Sequence, residues 1–175
     1  LQGERFVEVP TPWQKRKEES TSLMLTQGGQ LWASTRTQGI ARWDGQGWVW
    51  MSTGQHAPSR IYDVVMVGQD LWFSTLENGL ARYRAGQWRY FQTDIGLPID
   101  ALYDLRLIAE NGRNLLWVGS NKHGLMRIDI SNPEQPRLGT QPALPAQPIP
   151  LVYGAVRDGR GDLLVCTDYG VSRWH

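Results

Sequence analysis

A Leu-Trp pair returns along this chain at nearly even intervals, and that return limits what the chain can fold into. LWAST begins at Leu31, LWFST at Leu71 and LWVGS at Leu116, and LLVCT at Leu163 keeps the pattern, so successive copies start 40, 45 and 47 residues apart. A second block trails each copy: GIARW from Gly39, GLARY from Gly79, GLMRI from Gly124 and GVSRW from Gly170. A third follows the first two copies, as DGQGWVW from Asp44 and RAGQWRYF from Arg84. Of nine tryptophans, all but Trp13 fall on repeat positions. Each indole needs a large packed pocket, so ordered tryptophans mean ordered pockets.

Every block reads as strand chemistry. Leu-Trp-x-Ser-Thr alternates bulky apolar residues with small or polar ones and runs straight into turn residues. Gly39, Gly79, Gly124 and Gly170 stand where two strands must reverse, and an arginine follows three places later in each copy: Arg42, Arg82, Arg127 and Arg173. One more apolar strand precedes each Leu-Trp block, at Ser22–Thr26, Ile61–Val67, Leu102–Ile108 and Leu151–Arg157. The sum is four antiparallel strands per period. A sheet that small cannot bury both faces alone, and stacking such sheets radially around an axis solves the problem; a period near 40–50 residues is the β-propeller signature. Helical repeats would need apolar residues at three- and four-residue spacing, and a parallel β-helix has much shorter rungs.

The predicted fold is therefore all-β, a propeller of about four four-stranded blades. The repeats fall near residues 20–51, 60–91, 101–140 and 150–175, and residues 1–175 form one run of them. The last copy stops before its outermost strand, and residues 1–9 resemble that missing strand, with Phe6 in the place of Trp48 and Trp88. The arc either closes as a four-bladed ring, pairs with a second copy into eight blades, or belongs to a larger ring; four blades lie at the low end of the known range, which favours the larger ring. The chain opens on LQGERFVEVP, with no Met, no basic n-region and no apolar h-region. That start predicts a piece of a longer protein, whose membrane or targeting segments lie elsewhere.

Eighteen basic against seventeen acidic side chains give a net charge of +1, which offers no electrostatic footprint for nucleic acid or an anionic membrane. Cys166 is the one cysteine, so no internal disulfide and no cysteine-based zinc site can form; its place within a predicted strand marks it as a buried, inert thiol. The three histidines sit in different repeats without partners at ligand spacing, so no metal, cofactor or catalytic residue is expected. No Gly-x-Ser-x-Gly elbow or phosphate-cradling loop occurs.

The strings Leu31-Trp32, Gly39 to Asp44 and Trp48; Leu71-Trp72, Gly79 to Tyr83, Trp88 to Tyr90 and Gly96-Leu97-Pro98; and Leu116-Trp117 with Gly124 to Asp129 together resemble the two-component regulator propeller repeat. The fourth copy departs from it, with Leu164 where tryptophan is usual. The resemblance implies the extracytoplasmic, periplasmic sensor half of a bacterial hybrid histidine kinase or diguanylate cyclase. It also implies a small polar or carbohydrate-like ligand, and a link to membrane and output domain through parent segments. Two other roles compete with such a sensor: a protein-interaction scaffold, and a propeller lyase or hydrolase, which would need a clustered His and carboxylate site.

Residues shared by all copies build the wheel, so function is sought where the copies differ. The recurring Tyr-Asp pairs, Tyr62-Asp63 and Tyr103-Asp104, are expected to make a structural hydrogen bond, and the recurring arginines to pair with carboxylates or carbonyls of neighbouring blades. Loops entering the innermost strand and loops joining the two middle strands should form one rim. On or beside that rim the candidate ligand-binding residues are Trp13, Arg36, Arg60, Tyr62, Asp100, Tyr103, Asn121, His123, Tyr153 and Tyr169. Aromatic and amide groups among charges suit a polar, sugar-like ligand.

Overall fold

The computed structural model describes residues 10–11, 20–25, 31–35, 39–51, 58, 60–98, 101–140 and 151–174. The first sheet comprises β1 (Ser20–Leu25), β2 (Leu31–Thr35), β3 (Gly39–Trp43) and β4 (Trp48–Trp50). The second holds β5 (Ile61–Val67), β6 (Asp70–Thr75), β7 (Leu80–Arg84) and β8 (Gln87–Phe91). The third holds β9 (Leu102–Glu110), β10 (Arg113–Ser120), β11 (Leu125–Asp129) and the short β12 (Arg137–Leu138). In the fourth, β13 (Val152–Arg157), β14 (Leu163–Thr167) and β15 (Gly170–Trp174) make three strands. Within each sheet the strands pair antiparallel in chain order. The outer strand expected at residues 1–9 lies outside the described residues.

The four sheets stack as blades. The inner strands β1, β5, β9 and β13 touch in succession, and no comparable contact joins the fourth sheet to the first among the described residues. This is an open arc of a β-propeller. Three apolar clusters fill its three seams. Trp32 and Ile40 meet Ile61, Leu71 and Phe73 at the first seam; Trp72, Leu80 and Phe91 meet Leu105, Leu116 and Val118 at the second; Trp117 and Leu125 meet Val152, Leu163 and Val165 at the third. The Leu-Trp pair thus serves two seams at once, because its side chains point to opposite faces of the strand.

The repeat's other residues now have assigned work. Trp72 lies opposite Arg82, and Trp117 opposite Arg127, on adjacent strands. Each guanidinium sits over its indole, 5.9 and 5.7 Å from the ring centre, a cation–π contact. Arg82 also reaches the third sheet, donating to the Pro133 carbonyl and pairing with Glu134 at 2.8 Å. Glu134 takes Arg89 as well, at 2.7 Å, and these arginines, Arg82 foremost, hold its carboxyl below the usual range. The expectation of neighbour-blade partners holds for Arg82 but not throughout. Arg127 pairs with Glu110 of its own sheet, and Arg173 with Asp158 and Asp162 in the turn between β13 and β14 of its own sheet.

The Thr or Ser closing each Leu-Trp block locks the turn that follows. Its hydroxyl donates to the carbonyl of the turn glycine in all four copies: Thr35 to Gly39, Thr75 to Gly79, Ser120 to Gly124 and Thr167 to Gly170. The same oxygen accepts a turn N–H from Asn78, His123 or Tyr169 in the last three. Those glycines have φ of +91°, +68°, +67° and +114°, where a side chain would strain the backbone. One expectation is corrected. Cys166 is exposed, because it lies on the face of the fourth sheet opposite to buried Val165, and no other sheet packs on that face among the described residues.

Candidate functional site

The same irregularity interrupts each inner strand. Pairing with the next strand slips between Ser20 and Ser22, between Ile61 and Asp63, opposite Val118 to Ser120, and between Val152 and Gly154. The extra residue is Thr21, Tyr62, Tyr103 and Tyr153 in turn. A bulge re-aims its side chain out of the ladder, so three tyrosines leave the blade faces at one level of the arc. Tyr62 and Tyr103 meet edge to face with ring centres 4.8 Å apart, and Tyr153 is 53% exposed. The Ser74 hydroxyl donates to the Tyr103 carbonyl across the seam, fixing that bulge.

Beside the bulges at Tyr62 and Tyr103 a carboxylate ties one inner strand to the next. Asp63 accepts the N–H of Val64 in its own strand at 2.8 Å and that of Leu105 in the neighbouring strand at 3.1 Å. Asp104 repeats the device one blade on, accepting the Ala155 N–H at 3.1 Å. The structural hydrogen bond expected of the Tyr-Asp pairs is therefore present, with the aspartate as acceptor. The next carboxylate in the series is missing, since Gly154 occupies its place.

Both loop families meet at this end of the sheets. Leu76, Asn121 and Asp168, from the turns between middle strands, donate their N–H groups to the carbonyls of Arg60, Ala101 and Leu151, which precede the inner strands. The expected rim is a hydrogen-bonded unit. Arg60 is exposed and pairs with Glu77 at 2.9 Å, while Asn121 and His123 are half-buried beside Ala101. Tyr169 is 64% exposed at the fourth turn. Trp13, Arg36 and Asp100 lie outside the described residues, as do residues 142–150. Arg60, Tyr62, Tyr103, Asn121, His123, Tyr153 and Tyr169 are thus distributed along one end of the arc.

Sequence reasoning missed Arg106. It stands on β9 two residues beyond Asp104, pairs with that carboxylate at 2.8 Å and approaches Asp63 at 3.6 Å, and stays 53% exposed. Burial pushes the Asp104 carboxyl up to about 6, against the lowering pull of Arg106 and of the Ala155 N–H. No repeat signal marked Arg106, because its counterparts are Val65 and Val156. Three cavities of about 380, 400 and 390 Å³ lie away from the rim, around Glu110 and Arg127, around Phe91 and Glu134, and around Asp70 and Arg84. Among the described residues no three metal-ligating side chains gather, and no helix is long and apolar enough to cross a membrane.

No family model matches the chain, and no curated protein sequence is similar to it. Solved structures place the fold. The chain is similar to YCF48 bound to a D1 peptide, at 12% identity and a TM-score of 0.64, over 89% of this chain and 50% of that one. It is similar to the WD40 β-propeller domain of Doa1, at 14% identity and a TM-score of 0.65, over 88% and 49%. It is also similar to an extracellular domain described as that of the hybrid two-component system BT3049 from B. thetaiotaomicron, at 13% identity and a TM-score of 0.50, over 89% and 26%. The class is set: a partial β-propeller. The chain spans about half the length of the first two neighbours.

Proposed function

We propose that this chain is the ligand-sensing arc of a bacterial extracytoplasmic signalling receptor, acting by binding and not by catalysis. The observation that carries the reading is the row of bulged tyrosines, Tyr62, Tyr103 and Tyr153, set where inner strands of successive blades meet the rim. Tyrosine offers a flat apolar face and a polar tip, which suits the faces and hydroxyls of a sugar. Asn121, His123 and Arg60 add amide, imidazole and guanidinium groups at the same end. A ligand spanning two tyrosines would touch two blades, so binding biases the packing between them; further blades or a second copy complete the ring and pass that bias on. The repeat resemblance supports a periplasmic location, with the membrane link supplied by other parts of a parent protein.

The test is a thermal-shift and calorimetric screen of neutral and acidic oligosaccharides against wild type and Tyr153→Ala, whose side chain packs too little to matter for folding. A saturable shift weakened about tenfold or more by the substitution supports the reading, tenfold being the loss of about 1.4 kcal/mol of contact. A rim indifferent to every saccharide defeats it. A protein-interaction scaffold is the second reading, favoured by the solvent-facing Tyr153 and Tyr169 and by the peptide held by YCF48; a protein ligand lost with the same substitution would select it.

A further inference from the structure

The two end faces of the arc are the two halves of a seam. At the internal seams one blade contributes the Trp of its Leu-Trp pair and the next contributes the Leu and the residue two places on; at the first seam outer-strand aromatics join them, as Trp32 and Ile40 meet Leu71, Phe73, Trp88 and Tyr90. The first sheet's outward face repeats the receiving half. Leu23 is 66% exposed there, and Trp48 and Trp50 pack over Ala33 and Ala41 as Trp88 and Tyr90 pack beside Phe73 and Ala81. The fourth sheet's outward face occupies the other half. Val156, Cys166 and Val171 are exposed on it, at 58% and 72% for the two valines, and half-buried Leu164 stands at the Trp position.

We propose that the fourth sheet's outward face docks onto the first sheet's outward face of a second copy, so that two arcs close one ring. The contact continues an interface the chain already makes three times. It is heterologous within each seam, and two copies close on each other when each arc turns through half the ring. Two such arcs also supply about the chain length of the similar propellers, of which one arc covers 50% and 49%. A face of exposed valines is otherwise a site of uncontrolled association. The new seam is the weakest of the ring, since Gly154 brings no bridging carboxylate and Leu164 no indole. The proposal is independent of what the rim binds.

The test is sedimentation of the whole chain over a wide concentration range, with the modification rate of Cys166 by a thiol reagent as second readout. Wild type shifts from the one-chain to the two-chain mass as concentration rises, and Cys166 becomes protected in step. Val171→Glu and Leu23→Glu, both at exposed positions, each hold the chain at the one-chain mass. An equimolar mixture of the two recovers a two-chain species, because one intact face of each kind remains. A one-chain mass at every concentration overturns the proposal, whether Cys166 reacts or is shielded by another segment. So does a two-chain species that survives both substitutions, or one that mixing fails to restore.

Discussion

The third blade and the fourth share a strand pattern but differ in how they treat whatever lies beyond them. The third presents Trp117 with Arg127 over its ring, the Asp104 carboxylate, and Gly119, which lets the Val152 backbone approach closely. At the matching places the fourth presents Leu164, Gly154 and Cys166, and its Arg173 turns back to Asp158 and Asp162. Each departure removes a grip on a following blade and leaves the blade's own hairpins intact. The repeat signature therefore encodes adhesion between blades more than the shape of one blade. A copy can lose the signature and keep its strands.

The sharpest way to break that comparison is to cut the same position in both kinds of blade. Trp72→Ala removes a side chain with no solvent exposure from the largest seam cluster and should cost about 3–5 kcal/mol, as other buried Trp or Phe truncations do. Leu164→Ala takes away a half-buried side chain that no other sheet of the same chain covers among the described residues, and in the one-chain species at low concentration it should cost under about 1.5 kcal/mol. Urea unfolding midpoints of the two variants give the answer. Equal losses would mean that the Leu-Trp position stabilises its own sheet and not the seam.

The glycines sharpen the comparison next. A methyl group on Gly119 would sit 2.5 Å from the Val152 carbonyl oxygen, which belongs to the backbone and cannot swing away. Gly119→Ala should therefore destabilise by about 1–3 kcal/mol through overpacking at the third seam. The same change at Gly154 meets the Asp104 carboxyl at 3.4 Å, an ordinary contact, and should leave the midpoint almost unmoved. Thermal midpoints measured side by side decide it, and a seam that accepts Ala at 119 would show more slack between blades than these distances allow.

Most of the wheel was legible in the sequence, since its devices recur. Leu-Trp, the closing Thr or Ser, the turn glycine and the arginine each repeat; the hydroxyl meets its turn glycine in all four copies, whereas the arginines take different partners from blade to blade. The carboxylate bridge was legible as a hydrogen bond from Tyr62-Asp63 and Tyr103-Asp104, though not as a link from one inner strand to the next, because register across a seam is absent from a one-dimensional pattern. The bulge was hidden too. Nothing in the string Ile-Tyr-Asp-Val says that Tyr62 is the residue expelled from the ladder, and that expulsion brings the tyrosines to one level. Cys166 failed for a related reason: a strand residue is buried only if something stands before its face. Arg106 occurs once, and a reading built on recurrence cannot see it.

The smallest effect probes the bridge itself. Asp104 has a partner in front, Ala155, and burial holds its carboxyl at about 6 when folded, against 3.8 as its ordinary value. The folded chain thus binds this proton more tightly than the unfolded chain, so the group's contribution to stability is complete below about 4 and falls away as pH rises through about 6. Between pH 5 and pH 7 the unfolding free energy should drop by about 1–2 kcal/mol on this account, at most about 1.4 kcal/mol per pH unit. The carboxyls of Asp129, Glu134 and Asp158 are held low and act in more acidic solution, outside that window. Asp104→Asn keeps an acceptor for the Ala155 N–H while removing the titration, so its urea midpoint should lie flat from pH 5 to pH 7. A wild-type slope that survives the substitution would move the titrating group elsewhere. A wild type already flat would mean that Arg106 outweighs burial, leaving Asp104 an ordinary ion-paired carboxylate at the seam.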